Sequence, residues 1–301
     1  MRAKILMLSD SIKSKSLLRT PQQALSDIAV AFGHSFIMKD QQLEEVNFDI
    51  SPDEYQAVIA AVSEEGLLDV FDARWRISSL RLPDGLADFS LLRIPCFPVI
   101  TLVSPMQTGL QSTLLAAEKA FQIAGDMGAM VWAVADQGAP GVLVKAVSRA
   151  ASPYALSSPE AVPVESVVAK PLQHPDKNHV FLADRPTAGL LFAIFRGLSG
   201  VGLSYSIYGD ESTKIHLACG VPSFAPGLFD ALYATVTALE SSLHLKKEAG
   251  CLRASVDNVL ASGWRSRDMD VVGESAGDEQ IAALIGEQIE LAGSLMQRFP
   301  G

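Results

Sequence analysis

Apolar positions along this chain gather into short unbroken runs, separated by longer segments in which they recur every three or four residues. AKILMLS (residues 3–9), YQAVIAAVS (55–63) and FPVITLVS (97–104) are of the first kind. Runs this short and this apolar read as strands buried on both faces, the condition of a parallel sheet. MVWAVAD (130–136) and HVFLAD (179–184) repeat the pattern, and each closes on an aspartate. Between the runs the period lengthens. LSDIAVAFG (25–33) and LLAAEKAFQIAGDMG (114–128) carry helical spacing and stop at glycine, which tolerates the left-handed backbone beyond a helix end. FDALYATVTALESSL (229–243) and DEQIAALIGEQIELAGSLMQRF (278–299) predict two long helices. The stretch before residue 25 reads as a polar loop and PYALSSPEAVPV (153–164) as a proline-rich excursion. Repeated alternation of strand and helix predicts an α/β fold, a mostly parallel sheet covered by helices.

Composition narrows the classes. The 301 residues give room for two domains, and 49% hydrophobic against 19% charged residues excludes a disordered chain. No run approaches the roughly 20 apolar residues that span a bilayer. The opening MRAKILMLS is better read as a first strand than as a signal sequence, so the expected compartment is the cytoplasm. Cys96, Cys219 and Cys251 are odd in number and lack CxxC spacing, which suggests neither a disulfide framework nor a zinc site. A net charge of −10, with 24 scattered Lys and Arg, argues against a nucleic-acid surface.

The order of several phrases resembles the isocitrate and isopropylmalate dehydrogenase family, along nearly the whole chain. AFGHSF (31–36) is similar to the family's phrase after the first helix, and SLLRIPCFPVITLVSPMQTG (90–109) to its substrate-arginine strand and the "IVRENTEG" strand that follows. AEKAFQIA (117–124) resembles the next helix, ADQGAPGVL (135–143) "VDKANVL", GVGLSYSIYGD (200–210) "GGLGLAPSANIGD", and GDEQIAALI (277–285) the closing "GTxEFTDAVI" helix. The resemblance implies an isopropylmalate-dehydrogenase-like α/β/α two-domain fold. Its large, dinucleotide-side domain would comprise 1–95 plus 205–301, and 96–204 would form an inserted second domain. It also implies a homodimer through the second domain, with GLLFAIFRGLSG (189–200) as the dimerisation helix.

What the resemblance implies about chemistry is not matched residue for residue. The family oxidises and decarboxylates 2-hydroxy acids with NAD(P) and a divalent metal. A hard divalent ion requires oxygen ligands, and the family supplies two aspartates four apart on one helix face. The corresponding positions in DRPTAGLLFAIFRGLSG (184–200) are Gly189 and Ala193, or Ala188 and Phe192 in the neighbouring register, none with a side-chain oxygen. The catalytic lysine falls on Gln137, beside Asp136, and glutamine exchanges no proton near neutrality. Ser104 replaces a substrate arginine, and SPMQTGLQST (104–113), which contains Gln107, has no tyrosine. Arg81 and Arg93 fall where the other two substrate arginines would be. CGVPSFAP (219–226) is about half the length of the adenosine loop, with Cys219 in place of its histidine, and SDSIKSKSLL (9–18) lacks both glycines and the glutamate of the opening turn.

Other residues admit a functional and a plain reading. Asp136 and Asp184, at strand ends, serve either as ligand contacts or as caps. Arg81 and Arg93 either clamp a carboxylate or sit in surface ion pairs. Cys219 is a nucleophile only if a base such as His216 activates it, and is otherwise a small buried hydrophobe. His174 and His179, around a proline, are metal candidates or ordinary loop residues, and the glycines of 197–202 lack the strand, GxGxxG and helix context of a phosphate cradle. The remnant cleft candidates are therefore Arg81, Arg93, Gln107, Asp136, Gln137, Asp184 and Cys219, with no catalytic, metal or coenzyme ligand among them. The expected function is that of a noncatalytic homologue binding a small carboxylate or a protein partner, without cofactor, nucleic acid or membrane. The alternatives are a divergent NAD- and metal-dependent dehydrogenase of isocitrate or isopropylmalate type, and a cofactor-free enzyme in a remodelled cleft.

Overall fold

The short apolar runs become strands and the periodic segments helices. The structure is a computed structural model that describes residues 1–43, 54–83, 86, 98–135, 140–152, 161–200, 202–210, 214–218, 226–269 and 271–298. In chain order the first elements are β1 (Arg2–Ser9), α1 (Ile12–Leu17), α2 (Arg19–Phe32), β2 (Ser35–Gln42), β3 (Ala57–Ala61) and α3 (Glu64–Val70). Next come β4 (Trp75–Arg81), β5 (Ile100–Pro105), α4 (Leu110–Met127), β6 (Met130–Val134), α5 (Pro140–Ala151) and β7 (Ala161–Val162). They are followed by α6 (Val164–Val167), α7 (Ala169–Gln173), β8 (His179–Leu182), α8 (Arg185–Ser199) and β9 (Leu203–Gly209). The chain closes with β10 (Lys214–Leu217), α9 (Leu228–Ser241), α10 (Lys246–Ala261), β11 (Trp264–Ser266), β12 (Glu274–Ala276) and α11 (Asp278–Arg298). The protein is an α/β protein with mostly parallel sheet. Two compact units divide it: Met1–Phe71 with Pro83–Asp88 and Ser212–Gly301, and Asp72–Leu82 with Phe89–Glu211. Among the described residues no helix is long and apolar enough to cross a membrane.

In the first unit the strands run β2-β1-β3-β10, all parallel. β3 is buried at every position, as a central parallel strand must be, whereas the edge strand β2 alternates and ends in polar residues. α9 packs on β3 and is buried from Leu228 to Leu239, so it forms the middle of a helical layer with α2 and α10. α2 ends at Gly33, whose φ of 70° is the left-handed cap that its sequence predicts. The expected loop before residue 25 is instead helical. Ser11 caps α1 by accepting from Ser14 N at 3.2 Å, and α2 begins at Arg19 with Thr20 and Pro21 buried. Polarity misled here, because short hydroxylated side chains and a first-turn proline can line the buried side of a helix start.

In the second unit the order is β9-β4-β5-β8-β6-β7, with β4 antiparallel to both neighbours and the remaining strands parallel to one another. Alternation sends Val103, Val180, Leu182 and Ile77 into one face, where they meet the alanine-rich sides of α4 and α5. The opposite face carries Phe181, which stacks on Phe195 of α8 with ring centroids 5.6 Å apart. Both faces are covered, which explains the nearly continuous apolar character of β5 and β8. Of the proline-rich excursion at 153–164, residues 153–160 lie outside the described residues, while Ala161–Val162 form β7 and Val164 opens α6.

Candidate functional site

Ligands of open parallel sheets bind outside the carboxyl ends of the strands, where successive connections diverge. In the first unit that place is between β1 and β3, since β2 follows β1 on one side and β3 lies on the other. The protein's own groups occupy it. Asp10, one residue past β1, accepts from the Ser14 hydroxyl at 2.8 Å and, through its other oxygen, from Ser63 N at 2.9 Å, just past β3. Ser63 in turn caps α3 by accepting from Gly66 N at 3.1 Å. The SDSIKSKSLL segment, in place of a glycine turn, thus makes an aspartate and serine clasp.

His216 on β10 is fully buried between two hydroxyls, Thr237 Oγ1 at 3.0 Å from Nδ1 and Ser242 Oγ at 2.8 Å from Nε2. The Thr237 hydroxyl hydrogen goes to Ala234 O at 2.8 Å, so Nδ1–H donates to Thr237 and Nε2 accepts from Ser242. Burial, reinforced by Lys214, pushes the imidazole down to about 3. So weak a base does not deprotonate a thiol near neutrality, and His216 joins β10 to the end of α9 instead. Cys219 itself lies outside the described residues. A groove of about 600 Å³ between α2 and α11, lined by Arg19, Asp27, Asp278 and Glu279 among others, includes none of the residues singled out in the sequence.

In the second unit the carboxyl ends of β5, β8 and β9 and the start of β4 share one edge. Asp184, at the end of β8, has a specific occupation: its Oδ1 accepts from Thr187 N at 2.8 Å as the N-cap of α8, with Pro186 in the first turn. On α8, Ala188 and Phe192 are buried toward the sheet, while Gly189 and Ala193 are half-buried. A divalent ion finds no oxygen in either register, so the residues present do not fit the metal that the family resemblance implies. Among the described residues no three His, Cys, Asp or Glu side chains are grouped to hold a metal.

Gln107, exposed past β5, donates from Nε2 to Asp72 Oδ1 at 2.7 Å. Arg81 is the last residue of β4 and shares the face of Trp75 and Ile77, away from α8. Arg93, Asp136 and Gln137 lie outside the described residues. His179 has both ring nitrogens engaged, Nδ1 by the Trp132 indole at 3.2 Å and Nε2 by His174 O at 3.1 Å, which leaves it no lone pair for a metal. Its burial holds the ring below the usual histidine range.

One cluster escaped the sequence reading. Arg76 on β4 stands directly opposite Ser104 on β5 and Tyr208 on β9, and all three are buried on the face that α8 covers. Arg76 Nη2 reaches the Arg185 carbonyl in the first turn of α8 at 3.5 Å. Next along β4, Ser78 and Ser206 share a hydrogen bond of 2.7 Å. The signal was present in RWRISSLR, where Arg74, Arg76 and Ser78 alternate with Trp75 and Ile77. No family model matches the chain, and no curated protein does.

Proposed function

We propose that this chain is a noncatalytic homologue of the NAD-dependent decarboxylating 2-hydroxy-acid dehydrogenases, with an isopropylmalate-dehydrogenase-like fold, and that it binds a small carboxylate. The reading rests on the resemblance in motif order, and one observation carries its noncatalytic half. The helix that would supply metal oxygens, α8, offers alanine, phenylalanine or glycine there, and the nearest acid, Asp184, caps that helix. Without an ion to polarise the substrate oxygen, hydride removal coupled to decarboxylation loses its electrostatic support. The engaged Asp10 clasp and the Asp72–Gln107 pair favour the same reading.

Thermal denaturation with NAD or NADP and Mg²⁺ tests it. A ligand that binds only the folded state at one hundred times its Kd stabilises by about 2.7 kcal/mol, a shift that is easily measured. The expected shift is none. A saturable rise at micromolar dinucleotide would favour the active dehydrogenase instead.

The outward face of α8 supports a homodimer. Gly189, Ala193 and Gly197 form one stripe and Leu190, Ile194 and Leu198 the next, a groove beside a ridge on a single helix, and Leu190 is 54% exposed. Two copies related by a twofold axis place ridge into groove. Light scattering at micromolar protein is expected to give twice the chain mass, and Leu190→Lys to give the monomer. A wild-type monomer would sink this part.

A further inference from the structure

Within the first unit, α2 and α11 lie side by side and run in the same direction. Thr20 Oγ1 donates to Asp278 O at 3.4 Å where both begin, Asp27 meets Gly286 below, and Ala31 meets Gly293 below that. A β-carbon at Gly286 would stand 2.9 Å from Asp27 Oδ2, and one at Gly293 2.9 Å from Ala31 Cβ, so small residues let the helices close up. Ala282 and Ala283 are equally short, and over them lies the groove of about 600 Å³. Its head is at the starts of the two helices. α1 and α2 follow the carboxyl end of β1, the end at which parallel sheets take ligands.

Charge is set out in order along this groove. Arg19 stands at its head on α2, Asp278 and Glu279 at its head on α11, and Asp27 about two helical turns further down, roughly 10 Å along the axis. The two acids of α11 suit the positive start of a 21-residue helix. That does not account for Arg19, which lines the same groove and, among the described residues, pairs with none of the three carboxylates. Gln23 Nε2 donates to Asp27 Oδ1 at 2.8 Å and fixes that carboxylate in the wall. With three carboxylates against one guanidinium, the groove complements a molecule that carries one anionic group and more than one cationic group.

We infer that this groove binds a basic α-amino acid. The ligand's carboxylate takes the two-bond fork of the Arg19 guanidinium, its α-ammonium lies between Asp278 and Glu279, and its distal cation lies on Asp27. The alanines beneath leave room for the methylene chain that joins the two cations. The site belongs wholly to the first unit and depends neither on the family resemblance nor on the function proposed above.

The test is isothermal calorimetry of the full chain with L-lysine, beside norleucine, which lacks the distal ammonium, and cadaverine, which lacks the carboxylate. Wild type is expected to bind one lysine per chain saturably, and each truncated compound about tenfold more weakly, the loss of one charge-assisted contact. Arg19→Gln is expected to bring lysine down to the affinity of cadaverine while cadaverine itself is unchanged. Asp27→Asn is expected to bring lysine down to the affinity of norleucine while norleucine is unchanged. Both substitutions keep a polar side chain at a position that is exposed or half-buried, so the fold is retained. Ala283→Leu, at an exposed helical position that leucine suits, fills the groove and is expected to weaken all three compounds, with its melting temperature as the check on folding. No saturable heat with lysine in wild type at millimolar concentration would overturn the assignment. So would cadaverine binding as tightly as lysine, or equal lysine affinity in wild type and a folded Ala283→Leu.

Discussion

Gly209→Ala is expected to destabilise the second unit by about 3 kcal/mol, the upper range for forcing extra volume into a packed interior. A β-carbon at Gly209 would stand 2.1 Å from Cζ2 and 2.5 Å from Cη2 of Trp75. The indole cannot swing away. It is 2% exposed, and its Nε1 donates to Asp210 O at 2.9 Å, which pins the ring across the end of β9. The Lys119 ammonium 5.6 Å from the ring centroid secures it further. The glycine of the GD phrase is therefore dictated by the tryptophan across the strand pair, without appeal to backbone conformation. Gly125→Ala on α4 is the control: no atom lies within 4 Å of the added carbon, and the substitution should stabilise by roughly 1 kcal/mol through helix propensity. Denaturant titration of Gly209→Ala, Trp75→Leu and the double variant completes the check. The double variant should be more stable than additivity allows, and strict additivity would refute the contact.

The second large effect is on acid stability. His216 remains neutral in the folded state down to about 3, whereas in the unfolded chain it takes up a proton below its ordinary 6.5. The unfolded state therefore binds more protons throughout that window, and stability falls as pH falls from 6.5 toward 3. The slope from this residue is about 1.4 kcal/mol per pH unit once the unfolded histidine is protonated, several kcal/mol across the window. His216→Gln, neutral at every pH and able to serve both hydroxyls, should flatten the slope by one proton. Urea titrations of the two proteins between pH 7 and 4 measure the difference, and parallel curves would contradict a buried neutral imidazole.

Much of the fold was legible because burial on both faces writes itself into the sequence. β1, β3, β5 and β8 are continuous apolar runs, and the stops of α2 and α4 are glycines with left-handed φ of 70° and 60°. β4 was not legible, since three of its buried side chains are Arg76, Ser78 and Ser79. Ser78 is satisfied by Ser206 and Ser79 by Thr101 at 3.1 Å, partners that only the sheet brings near. β2 went unread for the opposite reason: at an edge Ser35, Lys39 and Asp40 face water. The α1 segment was hidden by serines whose hydroxyls bond within the segment, Ser11 to Ser14.

The candidate site was legible only in its identities. That α8 offers no metal oxygen follows from the letters alone, in either register. That Asp184 is a cap depends on the chain turning there, although an aspartate two residues before a proline at a helix start already favours it. Arg76 could not be assigned from the sequence, because its neighbours Ser104 and Tyr208 lie 28 and 132 residues away along the chain.

Titration of Mn²⁺ into the protein in the presence of NAD and a 2-hydroxy acid, followed by the paramagnetic resonance of the free ion, is the most direct measurement of the central claim. The signal is expected to grow in proportion to added ion, as in buffer. Loss of one ion's signal per chain at micromolar Mn²⁺ would mean that oxygen donors hold a cation after all, and would return the chain to the active dehydrogenases.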